Sequence, residues 1–431
     1  MKVSFYLPIL SCLAALGMLL TACLMAPDTQ EATTTLPAIT ASASITQPSL
    51  MPTESQPTAS PTTAPTEALT PTTINPGQVR KDIVIEVKQS PEVACSRSEI
   101  WQITSPYTSA QPILRDEKVS YRSPRWSHDG SMMAYIVEVG NETHIELKSR
   151  DSDSSRLSSS SFPYAVTESS CNGLQLFSWS PSSRWLAFEQ VNYTGKFFRY
   201  LYVFDTSSGQ STLVDEAFYG FPPAVWSPDG DILAYVHVAY DASGRRVNSL
   251  SIKLAQIESE GIVLRGEIPM PGDFDVVGRG DRIRGLVWHS DDKLFAVATP
   301  TIGDDPARLY EVDTITHTWQ KTANYERNID TERYPPSQIY ISANGHLLAW
   351  AANDLFILDS RNWHEVGRLQ ANWLGEPVVT WISDSNNRSV LVFYDAGSFW
   401  VYDPDLSKRE SLFSVKILSP ELTSVDIAVV P

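Results

Sequence analysis

Positive charge is scarce in this sequence: 33 Lys and Arg stand against 50 Asp and Glu, a formal net charge of −17 over 431 residues. A field of that sign repels polyanions, and no dense Lys/Arg run makes a local exception. Nucleic acid is therefore excluded as a partner, and polybasic docking to anionic lipid has no basis. Cysteine is scarcer, with four in the chain. Cys12 and Cys23 lie in or just after the apolar N-terminal run, leaving Cys95 and Cys171 as a candidate disulfide. In an exported protein those two can pair; two separate buried thiols is the equal alternative. Also missing are a G-x-S-x-G nucleophile elbow, an H-E-x-x-H zinc helix and any glycine-rich phosphate loop. The histidines, His128, His144, His237, His289, His317, His346 and His364, are scattered without metal-ligand spacing. The sequence thus identifies no catalytic residue, no metal ligand and no cofactor site. Long helical patterns with caps are absent as well.

What is present begins with an export signal. Met1-Lys2 is followed by the apolar run VSFYLPILSCLAALGMLL, too short and too interrupted by Pro8 for a spanning helix. It ends in Leu20-Thr21-Ala22-Cys23, which resembles the lipobox of bacterial lipoproteins. The resemblance implies cleavage of residues 1–22, a diacylglyceryl group on the Cys23 sulfur and acylation of the new amino group. Two or more acyl chains give stable anchoring, at about 0.8 kcal/mol per buried CH₂.

From Leu24 to Pro76 the chain has no aromatic residue and no Lys or Arg, and Thr, Pro, Ser and Ala dominate. Such a segment buries too little apolar area to offset its chain entropy. Residues 23–80 therefore read as a lipidated Cys and a disordered, proline-stiffened tether with a reach of about 40 Å.

Residues 81–431 carry most of the 12 Trp and 17 Tyr, and they carry a repeat. Its copies are PRWSHDGSMMAY from Pro124, FSWSPSSRWLAF from Phe177, AVWSPDGDILAY from Ala224, LVWHSDDKLFAV from Leu286 and IYISANGHLLAW from Ile339. A degraded sixth, VTWISDSNNRSVLVF, starts at Val379. Trp126, Trp179, Trp226, Trp288 and Ile341 are each followed eight positions later by Ala134, Ala187, Ala234, Ala296 and Ala349. Each copy reads as a β-hairpin. In Ser227-Pro228-Asp229-Gly230, proline presets φ and Gly230 takes the left-handed conformation that closes the turn. Apolar residues run consecutively on either side, the pattern of strands covered on both faces. A second hairpin follows most copies, with turn-entry aspartates Asp205, Asp313, Asp359 and Asp403.

Two hairpins per unit make a four-stranded sheet, the blade of a β-propeller. The Trp-Ser-Pro-Asp-Gly hairpin resembles the WD-like repeats of TolB-type β-propellers over residues 120–400; Trp226 to Gly230 is a full match and Trp126 to Gly130 lacks only the proline. Later copies depart: Asp292 stands where glycine is expected, Ile341 replaces Trp, and the sixth copy holds an insertion. Copies start at 126, 179, 226, 288, 341 and 381, a mean spacing of 51 residues. The last segment, LTSVDIAVVP, supplies one strand, while DIVIEVK, SEIWQIT and QPIL supply three that lack a first. The expected fold is an all-β propeller of four-stranded blades, seven favoured, the seventh closed by the C-terminal strand joining three N-terminal ones. Six, the usual TolB-type number, is the alternative.

Other motifs have structural readings. Asp129 and Asp229 cap turns; Asp291-Asp292 and Asp304-Asp305 read as solvated acidic surface rather than calcium ligands. Arg279-Gly280-Asp281 is a three-residue match of no weight, and the repeat tryptophans read as core rather than as a ligand-stacking set. The functional expectation is an extracytoplasmic, lipid-anchored propeller in the bacterial cell envelope, held to the membrane through Cys23 and binding a protein partner there. The alternatives are a propeller enzyme acting on glycans or peptides with carboxylates from different blades, and a solute-binding lipoprotein.

Overall fold

The computed structural model describes residues 82–88, 97–104, 109–140, 142–150, 155–157, 173–192, 198–220, 222–240, 247–271, 282–299, 307–327, 338–351, 354–370, 378–383, 388–414 and 423–429. Cys23, Cys95 and Cys171, with the signal and the tether, lie outside the described residues.

Every described element is a strand. Three come first: β1 (Ile83–Lys88), β2 (Ser98–Thr104) and β3 (Ser109–Leu114). Six sets of four follow. Blade 1 is β4 (Val119–Trp126), β5 (Met132–Val139), β6 (Glu142–Ser149) and β7 (Ser155–Leu157). Blade 2 is β8 (Leu174–Trp179), β9 (Trp185–Asn192), β10 (Phe198–Asp205) and β11 (Gln210–Asp215). Blade 3 is β12 (Val225–Trp226), β13 (Ile232–Tyr240), β14 (Val247–Glu258) and β15 (Gly261–Pro269). Blade 4 is β16 (Arg282–Ser290), β17 (Lys293–Thr299), β18 (Ala307–Asp313) and β19 (Thr318–Arg327). Blade 5 is β20 (Gln338–Ile341), β21 (Leu347–Ala351), β22 (Asp354–Asp359) and β23 (Glu365–Gln370). Blade 6 is β24 (Val379–Ser383), β25 (Ser389–Asp395), β26 (Ser398–Asp403) and β27 (Lys408–Ser414). The last strand, β28 (Thr423–Val429), pairs with β1, completing the sheet β28-β1-β2-β3 as blade 7. The seven-bladed expectation holds, with the closure the strand count implied.

The first strand of each blade touches the first strand of the next: β4 with β8, β8 with β12, and so on to β24 with β28 and β28 with β4. That unbroken circuit is the wall of the central axis. Ring closure removes inner sheet edges. The outer edges are managed differently. In blades 2 to 7 a register shift interrupts the pairing of the third and fourth strands, for example between Leu254 and Ala255 in blade 3. A bulged outer strand is a poor template for another chain.

The cores lie between blades. One contains Phe177, Ala187 and Leu201 of blade 2 with Trp226, Leu233 and Tyr235 of blade 3. The repeat Ala residues are fully buried, letting facing sheets approach. The repeat tryptophans do more than fill space. Trp179 Nε1 donates to the Arg125 carbonyl at 2.9 Å, Trp226 to Ser178 at 3.1 Å, Trp288 to Val225 at 3.0 Å and Trp381 to Tyr340 at 3.1 Å. Each acceptor immediately precedes the repeat position of the preceding blade, so one indole stitches two blades together. Blade 5 has Ile341 there and no N–H to give; Trp363 from its outer turn packs edge-on to Phe295 of blade 4 at 4.7 Å. Trp126, at the closing seam, keeps a buried Nε1 without an acceptor among the described residues.

The repeat turns behave as their residues dictate. Ser227 Oγ donates to Asp229 Oδ1 and accepts the Ile232 N–H at 2.9 Å, while Gly230 sits at φ 85°. Ser127 with Asp129 and Ser342 with Asn344 repeat the arrangement. The aspartates are turn caps. In blade 4 the pattern slips by one residue: Ser290 Oγ reaches Asp292 Oδ1 at 2.8 Å, and a register shift between Trp288 and Ser290 absorbs the offset. Without a glycine to take positive φ, the turn shortens to Asp291-Asp292. Asp292 is therefore the capping aspartate, not a residue in the glycine's place.

Candidate functional site

Strand direction sorts the connections by end. The hairpins between first and second strands, and between third and fourth, emerge at one end and span two to five residues each. At the other end, where fourth strands finish and first strands begin, lie the inter-blade residues 115–118, 216–220 and 222–224. The best-described group of polar side chains lies at this second end, between blades 2 and 3.

Asp215, the last residue of β11, is its hub. Its buried carboxylate accepts the Ala217 N–H at 2.7 Å, which turns the chain out of the sheet, and His237 Nδ1 donates to it at 2.9 Å. Lys253 Nζ stands at 3.3 Å, and the Tyr235 hydroxyl also bonds to it. These donors come from β13 and β14, where Tyr235 pairs with Lys253 and His237 with Ser251 across the ladder. The two-residue strand period puts all four on one face of blade 3. Burial disfavours the Asp215 charge, but the His237 and Ala217 hydrogen bonds and the His237 and Lys253 charges hold its carboxyl below the ordinary range. Burial, then the neighbouring Asp215 carboxylate, push the Tyr235 phenol far above its usual value, so it remains a donor.

Beside this hub lies a buried ion pair. Arg199 Nη1 contacts both Glu189 oxygens, at 2.7 and 3.0 Å. Burial pushes the Glu189 carboxyl up to about 7, against the pull of Arg199. The connection folds over the pair. Phe218 N–H donates to the Arg199 carbonyl at 3.1 Å, Tyr219 N–H to Val236 at 2.9 Å, and Val238 N–H to Ala217 at 2.8 Å. Gly220 sits at φ 85° directly on the guanidinium, where a Cβ would come within 2.3 Å of Arg199 Nη1. Only glycine fits there, by conformation and by space.

An imidazole oriented by a carboxylate is one half of a proton relay. The other half is not lined up: Ser251, opposite His237, donates its hydroxyl to Glu267 at 2.7 Å. Blade 1 holds a related trio, with the Tyr135 hydroxyl 2.8 Å from Glu146 Oε2 and His144 Nε2 3.2 Å from Glu146 Oε1. In both blades the groups are engaged with one another. No group of three or more metal-ligating side chains occurs among the described residues.

Sequence reading reached His237 and His144 only as scattered histidines and missed Asp215, Glu189 and Arg199. Asp215 ends β11 and Gly220 lies in the connection after it, both outside the repeat, and their partners lie tens of residues away. The one local signal is a glycine after two aromatics in Phe218-Tyr219-Gly220. The repeat tryptophans are packed between blades as expected.

No protein-family model matches the chain, and no curated protein does so. Solved structures do. TolB from Acinetobacter baumannii is 14% identical, with 81% of this chain and 66% of that one covered and a TM-score of 0.42. A puromycin-hydrolysing peptidase from Mycobacterium tuberculosis is 11% identical, with 79% and 54% covered and a TM-score of 0.50. An oligogalacturonate lyase from Vibrio parahaemolyticus is 12% identical, with 78% and 87% covered and a TM-score of 0.45. The chain thus spans about half the length of the peptidase and two thirds that of TolB. Likeness at these identities concerns the fold. The closed ring of seven four-stranded sheets makes this chain a seven-bladed β-propeller.

Proposed function

We propose that this protein is an extracytoplasmic, lipid-anchored scaffold: a propeller carried on a tether from Cys23 that binds another protein of the cell envelope. The observation that carries the reading is how the polar groups between blades 2 and 3 are used. Asp215, His237, Lys253 and Arg199 hold residues 216–220 in one conformation, and the Ser251 hydroxyl is engaged by Glu267. A connection ordered in advance by a buried network, with Glu216 exposed on it, suits recognition, because little entropy is lost on binding. The Leu20-Thr21-Ala22-Cys23 sequence supports the anchor and the aromatic-free segment behind it supports the tether.

Two measurements test it. The mature N-terminal peptide should carry a diacylglyceryl mass on Cys23, and Cys23→Ser should leave the membrane fraction. The full-length chain, extracted in mild detergent, should migrate as a complex heavier than itself. Migration alone, together with turnover of a glycan or peptide library, contradicts the scaffold reading and supports the enzyme.

A further inference from the structure

Beneath the connection between blades 2 and 3 a titratable group is shut away from water. Glu189 is 1% exposed, and the Arg199 guanidinium that reaches it from β10 is covered in turn by Gly220. The start of the connection is fixed twice: Asp215 takes the Ala217 N–H, and the Phe218 side chain sits buried in the core between the blades. Tyr219 and Gly220 lie beyond both anchors. Tyr219 is half-buried and its N–H donates to the Val236 carbonyl at 2.9 Å, while Gly220 lays bare backbone on the guanidinium. Two residues past a fixed aromatic can swing while the sheets on either side stay intact.

We propose that Tyr219-Gly220 is a proton-held cover on the Glu189–Arg199 pair: shut while Glu189 carries a proton, and lifted to admit water when that proton passes to solvent. A carboxyl in such a place loses hydration when it ionises, and moving Gly220 off the guanidinium restores it. Burial raises the shut form's Glu189 carboxyl to about 7, against the pull of Arg199, and hydration returns it toward the ordinary range. The shut form therefore binds the proton more tightly, and its advantage is lost as pH rises from the ordinary carboxylate range to about 7. The ordered form of the connection thus becomes conditional on pH. The cover needs no partner and is tested without one, so its failure leaves the scaffold reading as it was.

The charged and titratable groups around the pair come from each element packed there. β8 offers the uncharged Gln175 as the register partner of Glu189, and β10 offers Arg199. At the connection stand Asp215, the exposed Glu216 and Tyr219; β13 adds Tyr235, His237 and Tyr240, and β14 adds Lys253. Asp215, held low against burial by its His237 and Ala217 hydrogen bonds, stays charged across the range in which Glu189 titrates. Tyr235 and Tyr240, pushed up by burial, stay neutral there. His237 is the rival, because an imidazole is the other side chain that changes charge near neutral pH.

The test is hydrogen exchange of the full-length protein, read at single amides and expressed as protection factors, which remove the intrinsic pH dependence of exchange. The Tyr219 amide should lose protection by about tenfold or more between pH 5 and pH 8. Sub-denaturing urea should leave its value at pH 8 unchanged, since lifting two residues exposes little surface. E189Q, a carboxamide with no proton to lose, should hold Tyr219 at pH 8 to its pH 5 protection. Equal protection of Tyr219 in the natural sequence at both pH values overturns the cover. So does a loss that steepens with urea, which marks unfolding of the whole head; neither result depends on the variant folding. The same loss in a folded E189Q protein assigns the titration to His237 and overturns it too.

Discussion

Replacing a repeat tryptophan by phenylalanine keeps an aromatic ring between the blades and deletes one N–H. At Trp226 the deletion removes a 3.1 Å hydrogen bond to the Ser178 carbonyl; at Trp179 and Trp288 the acceptors are Arg125 and Val225. A buried bond of this kind contributes about 1 kcal/mol, and leaving its acceptor unpaired adds to the loss. The smaller ring loses some burial at each site, least at the half-buried Trp126. Trp126 is the internal control, because its Nε1 is buried with no acceptor among the described residues. There the substitution removes an unsatisfied donor, worth about 1–3 kcal/mol in the opposite direction. W126F should therefore be more stable than W179F, W226F and W288F by about 2 kcal/mol or more, the smaller burial loss at Trp126 acting in the same direction. Urea denaturation of the four variants, compared at constant m, reads this as a difference in midpoint. Four equal losses, or a W126F loss larger than the others, would refute the view of the indole N–H as a blade-to-blade stitch.

Other expectations follow from the blade 2–blade 3 network. A carboxyl whose value is raised in the fold stabilises it most below the ordinary carboxylate range, and that contribution is lost as pH rises to about 7, where Glu189 titrates. Stability should thus fall by up to about 3 kcal/mol from this group between pH 5 and pH 8. E189Q should flatten that slope, costing less at pH 8 than at pH 5; denaturant midpoints at the two pH values decide it. Asp215 has the opposite sign, its stabilisation being lost as pH falls below the ordinary carboxylate range. G220A combines a strained φ of 85° with a clash against Arg199, and should cost about 2 kcal/mol or more in the same assay.

The fold was legible because its information is local and repeated. A Trp, a Ser-Asp-Gly turn and an Ala at fixed offsets announce a hairpin, and their spacing implies seven sheets. The single C-terminal strand and the three N-terminal strands could be joined on paper because each was incomplete alone. The fourth copy was misaligned at Asp292, since a two-residue turn and a bulge move the capping serine from position 289 to Ser290. The polar network was not legible. Glu189 and Arg199 meet across one hairpin, but Asp215 meets Lys253 thirty-eight residues on, through blade packing that no periodicity encodes.

Closure of that ring by strands from the two ends of the head is the claim most of this rests on, and one cross-link tests it. Ile85 of β1 is the register partner of Ile427 of β28. The double variant Ile85→Cys, Ile427→Cys, oxidised under mild conditions and mapped by peptide mass spectrometry, should form an 85–427 disulfide in the folded protein and raise its denaturation midpoint. A well-folded double variant in which that bond does not form, or in which the thiol introduced at position 427 pairs only elsewhere, contradicts the seven-bladed closure.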